Sequence, residues 1–357
     1  MQDLQEKAIL VSVFLNEKDE KSLQELEELA KTAGAEVVGV LTQKRKNIDK
    51  TYYLGKGKIE ELKNLIEQKG ANIVIFNNEL SGSQVKNIED ILNTKVIDRT
   101  NLILDIFAKH AKTKEGMLQV KLAQLKYSLT RLRGIGVTLS RLGGGIGTRG
   151  PGETQLETDI RHIKRSILHI EKQIEEIKQH RSLYRKRRQK NQIPVVAIIG
   201  YTNAGKSTLI NALTNADAYV ENKLFATLDP LARKLRLPNN KIVLLIDTVG
   251  FIKNLPHQLI EAFKSTLEEI KFADLILNVV DISQNDYEEK IKVTEKILSD
   301  LECFNKPVIT VYNKSDLLET LPKNTDKEVY ISARYKTNLH DLVFCIQNAL
   351  ESGNKSL

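Results

Sequence analysis

The sequence predicts an α/β protein in which two α/β regions flank a helical hairpin, and three observations support this. Strand-like and helix-like apolar patterns alternate through residues 1–108. In residues 109–190, apolar residues instead recur every three or four positions in two separate seams. The alternation resumes in residues 191–357. We therefore expect three domains with these boundaries, because the apolar period of a coiled coil differs from that of a sheet.

The N-terminal region predicts four strands joined by three helices, the first two of which end at Gly34 and Gly70. Helices of about ten residues between strands act as crossover connections, so we expect a small parallel α/β domain. The expected elements are strand Ala8–Phe14, helix Ser22–Ala33, strand Glu36–Leu41, helix Ile59–Gln68, strand Asn72–Phe76, helix Ser83–Leu92 and strand Lys95–Asp98.

The middle region predicts an antiparallel two-helix coiled-coil hairpin with a glycine-rich tip. Between its two seams, the segment Arg133–Gly152 contains eight Gly and one Pro, and we expect that it continues neither helix. The seams consist of Leu118, Leu122, Leu125, Leu129 and Leu132 on the first helix and of Ile160, Ile163, Ile167, Ile170, Ile174 and Ile177 on the second.

The C-terminal region predicts a second, larger α/β domain. Its expected strands are Val195–Ile199, Ile242–Ile246, Leu275–Val280 and Val308–Val311, and its expected helices are Leu209–Leu213, Gln258–Ile270, Glu288–Leu298 and Leu339–Leu350.

The string that follows the first of these strands matches the phosphate-binding loop G-x-x-x-x-G-K-[ST] and opens a helix, as that motif requires. Lys206 is expected to reach the β- and γ-phosphates, and Ser207 to bind Mg²⁺. The loop and the residue after it are Gly200, Tyr201, Thr202, Asn203, Ala204, Gly205, Lys206, Ser207 and Thr208.

Two further segments fit the phosphate end of such a site. Asp247, Thr248, Val249 and Gly250 follow an apolar strand. The Asp247 carboxylate can hold Mg²⁺ through water, and the Gly250 amide can sense the γ-phosphate. Thr227 lies in a polar connection after Ser207 and suits a second hydroxyl ligand of Mg²⁺.

The base-recognition segment indicates GTP rather than ATP. Asn313, Lys314, Ser315 and Asp316 follow the fourth strand, and the Asp316 carboxylate can accept hydrogens from guanine N1 and its exocyclic amine. Ser332–Ala333 fits the loop whose backbone contacts the guanine oxygen. With these motifs at strand ends, we expect a P-loop GTPase (G) domain.

Two residues of this domain leave alternatives open. Phe251 stands where many GTPases place a Gln that orients the attacking water, so we expect slow intrinsic hydrolysis. The alternative is a packed phenylalanine without effect on the rate. GTPases that use K⁺ as an extra charge carry an Asn at the position of Asn203, although a hydrogen bond that shapes the loop explains it equally well.

The net charge of +8 is concentrated, because residues 161–190 contain eleven Lys or Arg and only three Glu. With the arginines around the glycine-rich segment, this region could follow an RNA backbone. A flexible hinge and a solvated linker are the alternatives. The candidate RNA-binding residues are Arg133, Arg141, Arg149, Arg185, Lys186, Arg187 and Arg188.

Other features argue against several classes of protein. Cys303 and Cys345 lie in apolar patterns and indicate buried thiols rather than disulfides. The six histidines form no Cys/His cluster, so we expect no zinc site. Neither a secretory signal nor an apolar run of about 18 residues is visible, so we expect a cytoplasmic monomer without a membrane span.

With these motifs, the sequence resembles the HflX family of ribosome-associated, translation-factor-related GTPases. The resemblance covers nearly the whole chain, and the segments that carry it are Tyr53–Lys58, Leu102–Ala108, Arg141–Asp159, Gly200–Ser207, Lys223–Pro230 and Asp247–Ile252.

The resemblance implies GTP hydrolysis that is slow alone and stimulated by the ribosome. It also implies binding to the large ribosomal subunit and its ribosomal RNA, and the splitting of stalled or idle ribosomes. By motif match it makes Ser207 and Thr227 ligands of Mg²⁺, and it gives catalytic roles to Lys206, Thr227 and Gly250. It adds Phe225, Ala226, Thr227, Leu228, Asp229 and Ser332–Arg334 (with Ala333) to the nucleotide contacts.

The residues leave two other functions open. One is a GTP-switched RNA-binding or subunit-assembly factor without splitting activity. The other is a regulator that acts on proteins through its coiled coil, which the concentration of basic charge disfavours.

Overall fold

The computed structural model describes residues 6–15, 20–142, 151–190, 193–214, 225, 232–248, 250–251, 269–303 and 305–353. Within these ranges it leaves aside the side chains of residues 20–21, 133–142, 151–154, 182–190 and 353. The chain forms two compact units, residues 1–109 with 117–174 and residues 110–116 with 175–357. The domain boundaries near 108 and 190 stay predictions.

A parallel sheet of four strands in the order β2-β1-β3-β4 forms the centre of the first unit, as the sequence predicts. Its N-terminal elements are β1 (Lys7–Phe14), α1 (Glu20–Ala33), β2 (Glu36–Lys44), α2 (Lys56–Lys69), β3 (Ile73–Phe76), α3 (Gly82–Leu92), β4 (Lys95–Asp98) and α4 (Arg99–His110).

Local chemistry explains where these helices begin and end. A capping box starts α3. The Ser81 hydroxyl accepts a hydrogen bond from the backbone N–H of Gln84, and the side-chain oxygen of Gln84 accepts one from the backbone N–H of Ser81. Gly70 ends α2 with a left-handed φ of 60°. Helices α2 and α3 cover one face of the sheet, where Leu62 and Ile88 pack against Val11.

The middle region consists of two long helices, α5 (Lys114–Leu142) and α6 (Pro151–Lys190). Leu122 packs against Ile167, Ile170 and Ile174, and Lys126 pairs with Glu171 at 3.1 Å. Because Glu115 near the start of α5 also pairs with Arg181 far along α6, the two helices are antiparallel. The hairpin prediction is confirmed.

The expectation that Arg133–Gly152 continues neither helix is wrong. Helix α5 runs through Gly134 and Gly136 to Leu142, and α6 begins at Pro151. A glycine inside a helix costs only about 1 kcal/mol, and extending an existing helix is far easier than starting one. Proline at the first helical position is favourable, because its missing N–H would have no helical partner there. Residues 143–150 lie outside the described residues.

The second unit contains a six-stranded sheet in the order β10-β9-β8-β5-β7-β6, which is parallel except for β6. Only the last two residues of the predicted helix Gln258–Ile270 are described, and both are helical. The elements are β5 (Val195–Gly200), α7 (Lys206–Thr214), β6 (Ala232–Arg236), β7 (Ile242–Asp247), β8 (Leu275–Asp281), α8 (Tyr287–Asp300), β9 (Val308–Asn313), β10 (Glu328–Tyr330) and α9 (Leu339–Gly353).

Two apolar layers cover this sheet. On one face, Ile198 of β5 packs with Leu209 of α7 and Leu342 of α9, and on the other, Ile199 shares a core with Leu298 of α8. Strand β5 lies between β7 and β8, so the order of connection reverses at its carboxyl end. Ligands bind at such a switch point in open α/β sheets. Among the described residues, no helix is both long and apolar enough to span a membrane.

Candidate nucleotide-binding site

The loop from β5 to α7 depends on glycine at two positions. Gly200 has a φ of 144°, and a Cβ there would lie 2.1 Å from the carbonyl oxygen of Val279. Gly205 has a φ of 90°, and a Cβ there would lie 2.2 Å from Nδ2 of Asn313. Neither conformation suits a residue with a side chain, so the motif glycines are fixed by backbone geometry and close approach.

Lys206 is the buried cation of this loop. It is 7% exposed, and its Nζ donates to the carbonyl oxygens of Gly200 at 3.0 Å and Tyr201 at 2.8 Å. Burial lowers the pKa of Lys206 to about 8, although the nearby Asp247 carboxylate opposes the shift. Because α7 begins at Lys206, the positive end of the helix dipole adds to the same anion-binding loop.

A hydroxyl and a carboxylate meet beside Lys206. Ser207 Oγ donates to Asp247 Oδ2 at 3.1 Å, and Asp247 is 3% exposed at the end of β7. Hard oxygen ligands of this kind are those that Mg²⁺ prefers, so the pair fits the predicted metal site. Thr227, the other predicted ligand, lies outside the described residues.

The segment after β7 is paired with the phosphate-binding loop. The amide of Phe251 donates to the Gly200 carbonyl at 3.0 Å, and the amide of Thr202 donates to the Phe251 carbonyl at 2.8 Å. Between these contacts, a Cβ on Gly250 would lie 2.9 Å from Lys206 Nζ. Gly250 therefore lies directly against the ammonium that is expected to meet the phosphates.

Phe251 is a packed residue. It is 4% exposed and belongs to the same apolar core as Ile199, Ile246 and Ile270. Its ring therefore anchors the segment that contacts the loop, in agreement with the packed phenylalanine that the sequence left open. The expected slow hydrolysis stays a prediction.

Asn313 connects three parts of the base-recognition end. Its Nδ2 donates to the Ala204 carbonyl at 2.9 Å, and its Oδ1 accepts from the Ala333 amide at 2.9 Å. The amide of Ser315 donates to the Ile331 carbonyl at 3.1 Å. Asn313 therefore positions the phosphate-binding loop and the Ser332–Ala333 loop together, while Asp316 remains exposed for a base.

Asp281 is a residue of this site that sequence reasoning missed. It ends β8, is 5% exposed, and accepts from Lys314 Nζ at 2.6 Å and from Ser283 Oγ at 2.6 Å. This contact ties Lys314 of the base-recognition segment to the end of β8. An Asp directly after an apolar strand, as at Asp247, was the pattern that could have revealed it.

For some predicted site residues the structure describes the side chain, for others only the backbone, and others lie outside the described residues. Phe225 is 2% exposed, and Arg334 lies over the ring of Tyr335, with 5.6 Å between the guanidinium carbon and the ring centroid. Predicted residues outside the described residues are Ala226, Thr227, Leu228, Asp229, Val249 and Arg149, and only the backbone is described for Arg133, Arg141, Arg185, Lys186, Arg187 and Arg188.

Family profiles match most of the chain. Residues 20–108 match a profile described as "GTP-binding GTPase N-terminal", and residues 110–188 match one described as "GTP-binding GTPase Middle Region". Residues 195–314 match a profile described as "50S ribosome-binding GTPase".

A GTPase HflX from Caldanaerobacter subterraneus subsp. tengcongensis is 63% identical to this chain over 345 residues, which are 97% of the chain and 81% of that relative. The chain belongs to the HflX family. A GTPase HflX from Escherichia coli is 43% identical over 327 residues, which are 91% of this chain and 77% of that protein. The resemblance seen in the sequence is confirmed.

Solved structures agree with the fold. A GTP-binding protein from the archaeon Sulfolobus solfataricus, in complex with GDP, matches with a TM-score of 0.51 and 26% identity. The match covers 98% of this chain and 99% of that one. A structure titled as the complex of SsGBP and GDP matches with a TM-score of 0.55 and 27% identity.

As a member of the HflX family, the chain is a GTPase, which hydrolyses GTP to GDP and phosphate. The buried ammonium of Lys206 is placed where it can supply positive charge to a phosphoryl group, and the amides at the start of α7 can add fixed dipoles. The Ser207 hydroxyl and the Asp247 carboxylate would hold Mg²⁺, which would supply further positive charge for the phosphates. Asn313 ties the phosphate-binding loop to the Ser332–Ala333 loop, so the two ends of the site keep a fixed spacing.

Proposed function

We propose that this chain binds the large ribosomal subunit and uses GTP to split stalled or idle ribosomes. The observation that carries the proposal is the basic surface of α6. Arg161, Lys164, Arg165 and Lys172 are exposed, whereas Ile163, Ile167, Ile170 and Ile174 of the same helix face α5. Such a face can bind RNA phosphates, and the description of the matched profile names the 50S subunit.

In this proposal the glycine-rich tip and the run Arg185–Arg188 extend the same RNA-binding surface. Arg133, Arg141 and Arg149 contribute at the tip. The three-domain layout of 1–108, 109–190 and 191–357 assigns RNA contact to the hairpin and nucleotide contact to the G domain. We also propose that the protein is a monomer in the cytoplasm and is partly associated with ribosomes.

Sucrose-gradient sedimentation of intact ribosomes tests the proposal. The chain is added with GTP or with a non-hydrolysable analogue, and we expect 70S particles to give way to separated subunits. Lys206→Ala should abolish this effect, because its site loses the cation for the phosphates. Binding to large subunits without separation would favour the GTP-switched assembly factor, and absence of binding even at low salt would refute both functions.

We further propose that Thr227, Ser207 and Asp247 hold Mg²⁺, the last through water, and that Asn203 helps to hold K⁺ beside the phosphates. Asn203 is exposed with a left-handed φ of 62°, and its side chain makes no hydrogen bond to any described residue. This supports a ligand role over a loop-shaping hydrogen bond. We also propose that the slow turnover expected with Phe251 is accelerated on the ribosome.

A further inference from the structure

A partly buried charge cluster joins the start of α5, the second half of α6 and the segment that leads into β8. Arg181 Nη2 lies 2.5 Å from Glu115 Oε2, and Arg181 Nη1 lies 3.6 Å from Glu269 Oε1. The exposed fractions of the side chains are 19% for Arg181, 12% for Glu115 and 8% for Glu269. All three belong to the same compact unit.

The two contacts of Arg181 differ in kind. The contact with Glu115 is a short, charge-assisted hydrogen bond and fixes the two helices to each other. The contact with Glu269 is a longer ion pair, with 3.6 Å between Arg181 Nη1 and Glu269 Oε1. Two carboxylates share one guanidinium in a poorly solvated position, where electrostatic energies depend strongly on distance.

Glu269 is also joined to the phosphate-binding loop through its neighbour in the chain. Ile270 is fully buried and shares an apolar core with Phe251 and Ile199. The backbone of Phe251 is hydrogen-bonded to Gly200 and Thr202 of the loop. A packed, continuous path therefore runs from the loop through Phe251 and Ile270 to Glu269 and Arg181.

We propose that Arg181 is a positioning residue of the GTPase site, which couples the helical hairpin to the phosphate-binding loop through Glu269. A γ-phosphate at Lys206 displaces the Gly250–Phe251 segment, because that segment lies against Lys206 Nζ. The core that contains Phe251 and Ile270 then shifts, and the Arg181–Glu269 contact changes its length. By linkage, a ligand of α6 that binds the two arrangements with different affinity in turn changes the balance between them.

The inference deepens the proposed function by naming how hairpin and GTPase site communicate, but its test needs no ribosome. Amide hydrogen exchange of Glu175–Arg181 is measured in the full chain with Mg²⁺ and either GDP or a non-hydrolysable GTP analogue. In the wild-type chain we expect exchange rates that differ by about threefold or more between the nucleotides. Failure of ribosome binding would leave this result untouched.

Glu269→Gln should abolish the difference between nucleotides while keeping the shape and an acceptor at the position. Arg181→Lys should reduce the difference, because an ammonium cannot bridge two carboxylates as a guanidinium fork does. Glu302→Gln is the matched control, since it removes an exposed carboxylate that pairs with Lys271 at 3.4 Å, and it should behave as wild type.

A merely structural role for the cluster predicts a different pattern, in which exchange rises equally with both nucleotides. The coupling is refuted if Glu269→Gln keeps the wild-type difference, or if the wild-type chain shows no difference. If Glu269→Gln does not fold, Arg181→Lys gives the same decision. As a second readout, Glu269→Gln should change kcat for GTP with KM altered by less than about twofold, because only the transition between loop arrangements is affected.

Discussion

At the scale of single residues, the site combines positions fixed by sterics with positions fixed by charge. Gly200 and Gly205 are required by contacts with Val279 and Asn313 that no side chain would permit. Lys206 is held by two carbonyl oxygens of its own loop, so phosphate binding must replace those acceptors. The affinity for nucleotide therefore depends on the protonation of one buried amine.

We expect GDP and GTP affinity to fall as the pH rises above about 8. Burial places the pKa of Lys206 at about 8, so the ammonium that attracts phosphate is lost above that value before nucleotide binds. Equilibrium titration with a fluorescent GDP analogue between about pH 7 and 9.5 should show up to a tenfold loss per pH unit above the pKa. In Lys206→Arg, which stays protonated, the pH dependence should be absent even if the affinity at pH 7 is lower.

The same shift has a consequence for stability, with the opposite sign. The pKa of Lys206 in the folded chain lies below the ordinary lysine value of 10.5, so the folded chain disfavours the charged form. The free energy of unfolding should therefore rise with pH between about 8 and 10.5 through this residue. Nucleotide affinity should fall over the same pH range in which the free energy of unfolding rises. These opposite trends distinguish the effect on binding from the effect on stability.

Asn203 gives a second prediction at this scale. Its exposed amide is free of hydrogen bonds to described residues, so replacing it should leave the loop folded. We expect GTP turnover to be faster in KCl than in NaCl at equal ionic strength, and Asn203→Ala to remove this difference. Equal turnover of the wild-type chain in both salts would leave Asn203 without a role in cation binding.

At the scale of elements, α5 is attached to the N-terminal sheet by a buried carboxylate. Asp98, at the end of β4, is fully buried and accepts from Tyr127 OH at 2.6 Å and from Arg131 Nη2 at 3.1 Å. It also accepts from the backbone amides of Leu80 and Asn101. A Cβ on Gly82 would lie 2.3 Å from the Arg131 carbonyl, so α5 and α3 approach closely.

Tyr127→Phe should therefore destabilise the chain. The hydroxyl is buried and its pKa is raised by burial and by the Asp98 carboxylate, so it remains a donor at all ordinary pH values. Losing a hydrogen bond to a charged group costs about 1.5–3 kcal/mol. Urea denaturation measures the change, and Tyr335→Phe is the control, because Tyr335 is 63% exposed. Equal stability of the two variants would show that the Asp98 network does not depend on Tyr127.

Most elements were predictable because each has a clear apolar pattern. The strands β1, β5 and β8 are almost continuously apolar, and β4 was predicted with its observed bounds. Helix α4 was not predicted, because Leu102–Phe107 is an apolar run interrupted only by Asp105, and the pattern of such a short run does not distinguish a buried helix from a strand. Strand β6 was missed as well, since its sequence Ala-Arg-Lys-Leu-Arg is polar and its pairing with β7 is antiparallel.

At the scale of the whole molecule, the motifs identify the GTP-binding residues but not their mutual contacts. The bridging of Ala204 and Ala333 by Asn313 and the packing of Phe251 join residues that are distant in the sequence. The net charge of the sequence likewise does not reveal where in the structure the basic groups are exposed. Its size suggests only an anionic partner, whereas the antiparallel seam shows which face of α6 carries exposed basic groups.

Neutralising the run Arg185–Arg188 to glutamine should weaken ribosome binding and reduce its salt dependence. Each lost phosphate contact lowers the slope of log affinity against log salt by about 0.7–0.9, so four contacts would lower it by roughly 3. Sedimentation with ribosomes across a salt series measures this slope. GTP affinity should be unchanged, because the nucleotide-binding motifs begin at Gly200.

The matched control removes the same charge elsewhere in the molecule. Lys50, Lys63, Lys69 and Lys86 are exposed in the N-terminal region, and their combined replacement by glutamine should lower the slope much less. Equal effects of the two sets would mean that net charge alone governs the attraction. Loss of GTP binding in the Arg185–Arg188 variant would instead assign this run to the G domain. A larger decrease of the slope in the Arg185–Arg188 variant than in the control would assign this run to the RNA-binding surface. The reason is that the slope depends on the number of phosphates that the protein contacts directly.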